Sequence, residues 1–293
     1  MTDRAAAILA LGEELRIPTE VLPPLRRAAE ALRWEDLSLS ALTAFSTQDA
    51  AGAAWQSAML HLPAWEADGG MAQLAVVLAA ACKTRRAYRQ AGISDGIFLD
   101  TMGCLPRFLR ETKVLTGRWA FDRGFWTWRQ TSGVLFRLGE LEYEYAPAER
   151  GPCPRIQPGD PALHVHIPSD AVLTRERLDA SYAQAWRFFG AKGAPFCENG
   201  PPKAMVCSSW LLAPALDGLL PENSGIRRFA GDYERIRIQE NDTSFYRWLF
   251  RRLDSVSPEE LPEDTSLQRA VKAHLIAGGK IGAAWGVLKE GVQ

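Results

Sequence analysis

The feature that most constrains this chain is a strand, a helix and a second strand laid end to end between residues 161 and 215. The run Pro161-Ala162-Leu163-His164-Val165-His166-Ile167-Pro168-Ser169-Asp170 reads as a buried strand that stops at a polar turn. Thr174 then stands at the N-cap of a helix carrying Leu178, Tyr182, Ala185, Trp186 and Phe189 at helical spacing. A second apolar strand follows, Ala204-Met205-Val206-Cys207-Ser208-Ser209-Trp210-Leu211-Leu212. Two strands joined through a helix call for a parallel pair. On such sheets ligands sit beyond the C-terminal strand ends, and Ser169, Asp170, Ser208 and Ser209 fall there.

Residues 1–117 read as helical throughout. Thr19 precedes a helix with Pro23 and Pro24 in its first turn, and residues 50–62 and 71–90 continue the pattern. Ser94 caps a further helix over 97–115, in which Pro106 predicts a kink. The basic run Lys83-Thr84-Arg85-Arg86 is either a solvated helix face or an anion contact.

The character changes after Gly117. Residues 118–130 are dense in Trp, Phe and Arg, which suits an inter-domain joint or a clamp on an aromatic ring or an anion. Alternation from Val134 to Tyr145 predicts an antiparallel hairpin, with Leu141, Tyr143 and Tyr145 on one face and Glu140, Glu142 and Glu144 on the other. Residues 147–161 read as a loop. Residues 226–238 read as one or two strands in which Arg235 and Arg237 share a face, and the remainder as short helices, one of them over 243–253, closing on Gly278-Gly279-Lys280. The fold class expected is α+β, an all-helical N-terminal domain (1–117) followed by a mixed-sheet α/β domain (118–293).

Charge narrows the partners. The chain has 34 basic and 35 acidic residues, a formal net charge of −1. No global field draws it to nucleic acid or to an anionic membrane, and no apolar run is long enough to span a bilayer. The five cysteines are odd in number and scattered without a C-x-x-C pair, which reads as reduced thiols in a cytoplasmic protein. The N-terminus lacks the pattern of a secretory signal.

Several residues are candidates for chemistry. His164 and His166 project from one strand face. They suit a metal if two more ligands converge, His166 suits a general base or ligand contact, and either suits a hydrogen-bonded structural role. The Glu stripe, Glu142 in particular, suits a base for a protonated amine or else a solvated strand face. Cys207, with Ser209 on its face, suits a nucleophile activated by His166, or else an inert buried thiol.

Longer strings carry a resemblance. Gly124-Phe125-Trp126-Thr127-Trp128-Arg129-Gln130, Leu138-Gly139-Glu140-Leu141-Glu142-Tyr143-Glu144, Leu163-His164-Val165-His166-Ile167-Pro168, Val206-Cys207-Ser208-Ser209-Trp210-Leu211-Leu212 and Leu275-Ile276-Ala277-Gly278-Gly279-Lys280-Ile281-Gly282 resemble a bacterial family of acyltransferase domain-containing proteins. Its members pair a helical N-acyltransferase N-terminal domain with a GNAT-like C-terminal domain. In relatives a His often stands where this chain has Ser208.

The resemblance implies acyl-CoA or acetyl-CoA as co-substrate, lying in a V between the two parallel strands, and a small-molecule acceptor with an amine or hydroxyl. It implies pantetheine contacts along Leu163, Val165 and Ile167, and phosphate contacts at Ser169, Thr174 and Arg175 at the helix start. Glu142 or His166 would be the base. The strands are expected to part near Ile167 and Trp210. The chain departs from the pattern where such folds place a glycine-containing phosphate loop, since Pro168-Ser169-Asp170-Ala171-Val172-Leu173-Thr174 has no glycine. The alternative is a ligand-binding or interaction module without turnover.

Overall fold

The computed structural model describes residues 3–149, 153–191, 194–252 and 256–292. Its contacts divide the chain into two compact units, Met1–Arg137 and Leu138–Gln293. The composition changes earlier, at Gly117, so the Trp- and Arg-rich segment falls in the first unit.

The first unit is helical: α1 (Asp3–Glu14), α2 (Leu22–Ala31), α3 (Gln48–Met59), α4 (Trp65–Asp68), α5 (Met71–Gln90), α6 (Asp95–Met102), α7 (Cys104–Thr116) and α8 (Gly124–Thr131). α5 is its axis. Residues 71–81 are buried all round, and their many alanines let α1, α2 and α8 approach closely. The Asp68 carboxylate accepts from the backbone N–H groups of Gly70 (2.8 Å) and Ala72 (2.7 Å), satisfying the first turn of α5. Gly70 has φ +77°, and a Cβ there would lie 2.0 Å from the Phe121 carbonyl oxygen.

The basic run on α5 has a structural use. Arg85 bonds Glu14 (2.6 and 2.8 Å) and Asp95 (2.6 and 3.0 Å), joining α1 to the start of α6. Two expectations need correction here. The helix expected over 97–115 is two helices that meet at Gly103. Pro106 sits in the first turn of the second, where no intrahelical donor is lost.

The second unit is built on a six-stranded sheet of order β1-β2-β3-β4-β6-β5. The strands are β1 (Leu135–Leu138), β2 (Leu141–Pro147), β3 (Pro161–His166), β4 (Ala204–Ser209), β5 (Tyr233–Gln239) and β6 (Ala283–Leu288), β1 beginning just before the unit boundary. β3 and β4 run parallel, and α9 (Arg175–Phe189) connects them. The pairs β2/β3, β4/β6 and β6/β5 are antiparallel. α10 (Ala215–Leu219), α11 (Gly225–Gly231), α12 (Phe245–Leu249) and α13 (Ser266–Ile276) complete the unit. Leu216, Phe245, Phe250, Leu261, Val271 and Ile281 form a core cluster among them.

Five elements differ from the sequence expectation. β3 ends at His166, so Ile167 lies beyond the strand. β4 ends at Ser209, whose side chain accepts from Leu211 N–H (3.1 Å) and turns Trp210–Leu212 into a 3-10 turn. Residues 225–231 form a helix, capped by Ser224, not a strand. β6 is a strand that periodicity missed: all six residues are buried, so nothing alternates. The helix expected over 243–253 is confined to Phe245–Leu249, and its expected last residue lies outside the described residues.

Candidate active site

The parallel seam is short. β3 and β4 pair at Ala162↔Ala204, Leu163↔Met205 and His164↔Val206, and there the ladder ends. Both strands continue with their outer partners. β3 stays on β2 through Tyr143↔Val165 and Glu142↔His166. β4 stays on β6 through Cys207↔Gly286, Ser208↔Trp285 and Ser209↔Ala284. The strands therefore part directly after His164 and Val206, earlier than the expected Ile167 and Trp210, and leave a notch between their C-terminal ends.

Register fixes which side chains share a face. One face carries Tyr143, Val165, Cys207 and Ser209. α9 covers it: Tyr143 Oη lies 2.8 Å from Ser181 Oγ, and the Tyr145 and Phe189 rings stack at 6.3 Å. The other face carries Glu142, Glu144, His164, His166, Val206 and Ser208. Away from the notch it is closed by an apolar cluster that includes Ala148, Cys153, Ile156, Val206 and Trp285. Beside the notch it is polar.

At the centre of that polar region His166 Nε2 lies 3.0 Å from Glu144 Oε2. Glu144 stands opposite His164 in the ladder, so it meets His166 diagonally. Glu142 stands directly opposite His166. Glu142 and Glu144 are only 3% and 6% exposed, which corrects the reading of the stripe as a solvated face. Glu140 does not belong to the stripe. It lies in the β1–β2 turn, pairs with Arg177 (2.5 Å) and accepts from Val172 N–H (2.9 Å). His164 Nε2 is bound to the Pro147 carbonyl (3.0 Å), and burial holds its pKa below the ordinary histidine value.

A carboxylate on Nε2 selects the tautomer that donates from that atom, which leaves the lone pair on Nδ1. A Glu–His pair of this kind, with the carboxylate buried and the imidazole half-buried, can accept a proton and hold the resulting imidazolium.

Cys207 requires a correction. It points to the α9 face, away from His166, is 1% exposed, and burial pushes its thiol pKa far up. A buried, protonated thiol on the wrong face is no nucleophile. Ser209 shares that face, and its oxygen serves the 3-10 turn. Ser208 is the serine on the His166 side, where its Oγ accepts from Gln239 Nε2 (3.3 Å). Sequence reasoning missed Glu144 as the partner of His166 and Gln239 as that of Ser208. Parity gave the face of Glu144 but not its register.

The co-substrate candidates divide as follows. Leu163 lies inside the paired seam, whereas Val165 and the residues after it flank the notch. Ser169 lies in the loop that leads to α9. Thr174 occupies the N-cap position, but its side chain makes no capping bond. Arg175 is bound to Asp232 (2.6 Å) and Asp179 (2.6 Å). Among the described residues no group of three or more His, Cys, Asp or Glu is placed to hold a metal ion, and no helix is long and apolar enough to cross a membrane.

The family model described as N-acyltransferase N-terminal domain matches residues 2–133, and that described as GNAT-like C-terminal domain matches residues 135–288. Among solved structures, an acyltransferase in complex with CoA and 10C-teicoplanin is 25% identical, with TM-score 0.74, covering 96% of this chain and 86% of that one. An acyltransferase in complex with decanoyl-CoA and teicoplanin is 25% identical, with TM-score 0.73 and the same coverage. One in complex with decanoyl-CoA alone is 22% identical, with TM-score 0.74, covering 95% and 86%. No curated protein matches the chain.

Proposed function

The chain belongs to the family that joins an N-acyltransferase N-terminal domain to a GNAT-like C-terminal domain, and on that premise we propose that it transfers an acyl group from acyl-CoA to an amine or hydroxyl of a small acceptor. The observation that carries this reading is the seam that stops at His164↔Val206 while both strands run on with other partners. A pantetheine arm is amide-bearing and extended, and a notch between two strand edges offers it backbone partners. Solved acyltransferases of this fold bound to CoA and decanoyl-CoA support acyl-CoA as the donor, and those bound to teicoplanin compounds support a small-molecule acceptor.

In this reading the pantetheine lies along Val165 and Ile167 with Leu163 at the floor of the notch. The phosphates lie towards Ser169, Thr174 and Arg175 at the start of α9. The acceptor approaches from the polar face. Its nitrogen or oxygen attacks the thioester carbonyl while His166 takes its proton, with Glu144 holding the imidazole and Glu142 beside it. The tetrahedral oxyanion is met by strand amides near Val165–Ile167. Collapse breaks the C–S bond and releases CoA thiolate, which takes up a proton, leaving an amide or ester.

The absent glycine loop favours one rival, a module that binds without turnover. A thermal-shift series with acetyl-, octanoyl- and decanoyl-CoA, joined to a thiol-release assay, decides between them. Saturation at 100 times Kd stabilises by about 2.7 kcal/mol. A flat melting temperature with all three donors at millimolar concentration overturns the acyl-CoA reading. Stabilisation without thiol release across amine and alcohol acceptors supports the module.

A further inference from the structure

β5 carries an irregularity that changes which side chains face the notch. Strict alternation from Tyr233 would put Arg235 and Arg237 on one face. The register instead runs Arg235↔Gly286 and then Arg237↔Trp285, so one residue of β5 is extra. A bulge of this kind re-aims the side chains that follow it. Ile236 packs on the apolar cluster around Trp285, Arg237 stands opposite Trp285, and Gln239 reaches Ser208 (3.3 Å). Arg237 and Gln239 are thereby moved to the face of Ser208, His166 and Glu144.

The two arginines then have different surroundings. Arg235 grips the Asp217 carboxylate with two bonds, 2.6 and 2.8 Å. Arg237 is exposed and, among the described residues, has no hydrogen bond or ion pair. The polar face is thus divided. Glu142, Glu144 and His166 lie on the β2/β3 side of the notch, and an uncommitted guanidinium beside Gln239 and Ser208 lies on the β4/β6/β5 side, in a pocket that Glu240 and Asp242 also line. His166 and Arg237 are three strand steps apart, at least about 14 Å between backbones because β3 and β4 are unpaired at that level.

We infer that Arg237, with Gln239 and Ser208, binds a carboxylate on the acceptor, so that the acceptor is an amine carrying its carboxylate several bonds away. The inference rests on the acyl-transfer reading. It makes Arg237 a specificity-determining residue that binds the acceptor remote from the reacting atoms. A guanidinium and a carboxylate match in geometry and charge, and the match is lost with an uncharged carboxamide.

The test uses the full chain, decanoyl-CoA as donor, and triglycine against triglycinamide as acceptors, an extended pair about 10 Å long. Thiol release is followed for the parent, Arg237→Gln and Arg237→Lys. The parent should favour triglycine by about tenfold in kcat/KM, the scale of one hydrogen bond to a charged group. Arg237→Gln should erase that preference through a raised KM for triglycine, so that the two acceptors are used alike, and Arg237→Lys should keep part of it. Equal use of both acceptors by the parent, or a preference that survives Arg237→Gln, overturns the inference. So does no turnover of either acceptor by a protein that still binds decanoyl-CoA. Failure to bind decanoyl-CoA instead removes the acyl-CoA reading, and the inference with it.

Discussion

Replacing Glu144 by Gln tests the pair at the notch with little change of shape. The Nε2–Oε2 separation is 3.0 Å, and the side chains of His166 and Glu144 are 29% and 8% exposed. Once His166 carries the acceptor's proton, Coulomb's law at an effective dielectric of about 20 sets a ceiling of about 5 kcal/mol. Hydrogen bonds to charged groups contribute about 1.5–3 kcal/mol once solvent competes. Glu144→Gln should therefore lower kcat by about 10- to 150-fold, with little change in the KM for acyl-CoA. Removing the base by His166→Ala should cost about 10²- to 10⁴-fold.

The double variant is the decisive measurement. If Glu144 acts only through His166, Glu144→Gln in a His166→Ala background should cost almost nothing further. Steady-state thiol release for the four proteins, with melting curves to confirm folding, gives the coupling. Full additivity of the two losses, or an unchanged kcat in Glu144→Gln, would refute the reasoning.

Cys207→Ala should keep kcat within about threefold, since a buried thiol on the α9 face takes no part in the chemistry; a loss of 10²-fold or more would restore it as a nucleophile. Asp68→Ala leaves two N–H groups at the start of α5 without their acceptor and should cost about 1–2 kcal/mol, read as a lower urea midpoint at constant slope. Gly70→Ala should be worse, because the Cβ would meet the Phe121 carbonyl at 2.0 Å and φ is +77°; a melting temperature equal to the parent's would contradict it. For His164 burial depresses the folded pKa, so the unfolded chain binds the proton more readily. That stability is present above the unfolded value of about 6.5 and lost as pH falls below it. His164→Gln should flatten the drop in melting temperature between pH 7.5 and 5.5, and an unchanged slope would count against this account.

Local pattern carried much of this fold. The span of α5 was legible because its apolar residues are dense and its ends are marked. The βαβ unit was legible because two strand-like runs flank one helical period. Solvation of a strand face was not legible. The period-2 pattern puts Glu142 and Glu144 on one face, but their burial depends on what covers that face. The bulge was equally hidden, since the alternation of Arg235, Ile236, Arg237 and Ile238 is as regular as in a flat strand. Ser209 ended β4 through a side-chain bond that an apolar run such as Trp210-Leu211-Leu212 does not announce. Pairing of Glu144 with His166 follows from hairpin register, a nonlocal quantity.

An unpaired strand edge invites other chains to add to it. Here the two edges face each other across a cleft only two or three residues deep, because β3 ends at His166 and β4 at Ser209. A foreign strand would find too few rungs to hold it, whereas a slender amide chain needs no more. The shallowness of the opening thus guards the protein against aggregation through its own sheet while keeping those rungs available to something thinner than a polypeptide.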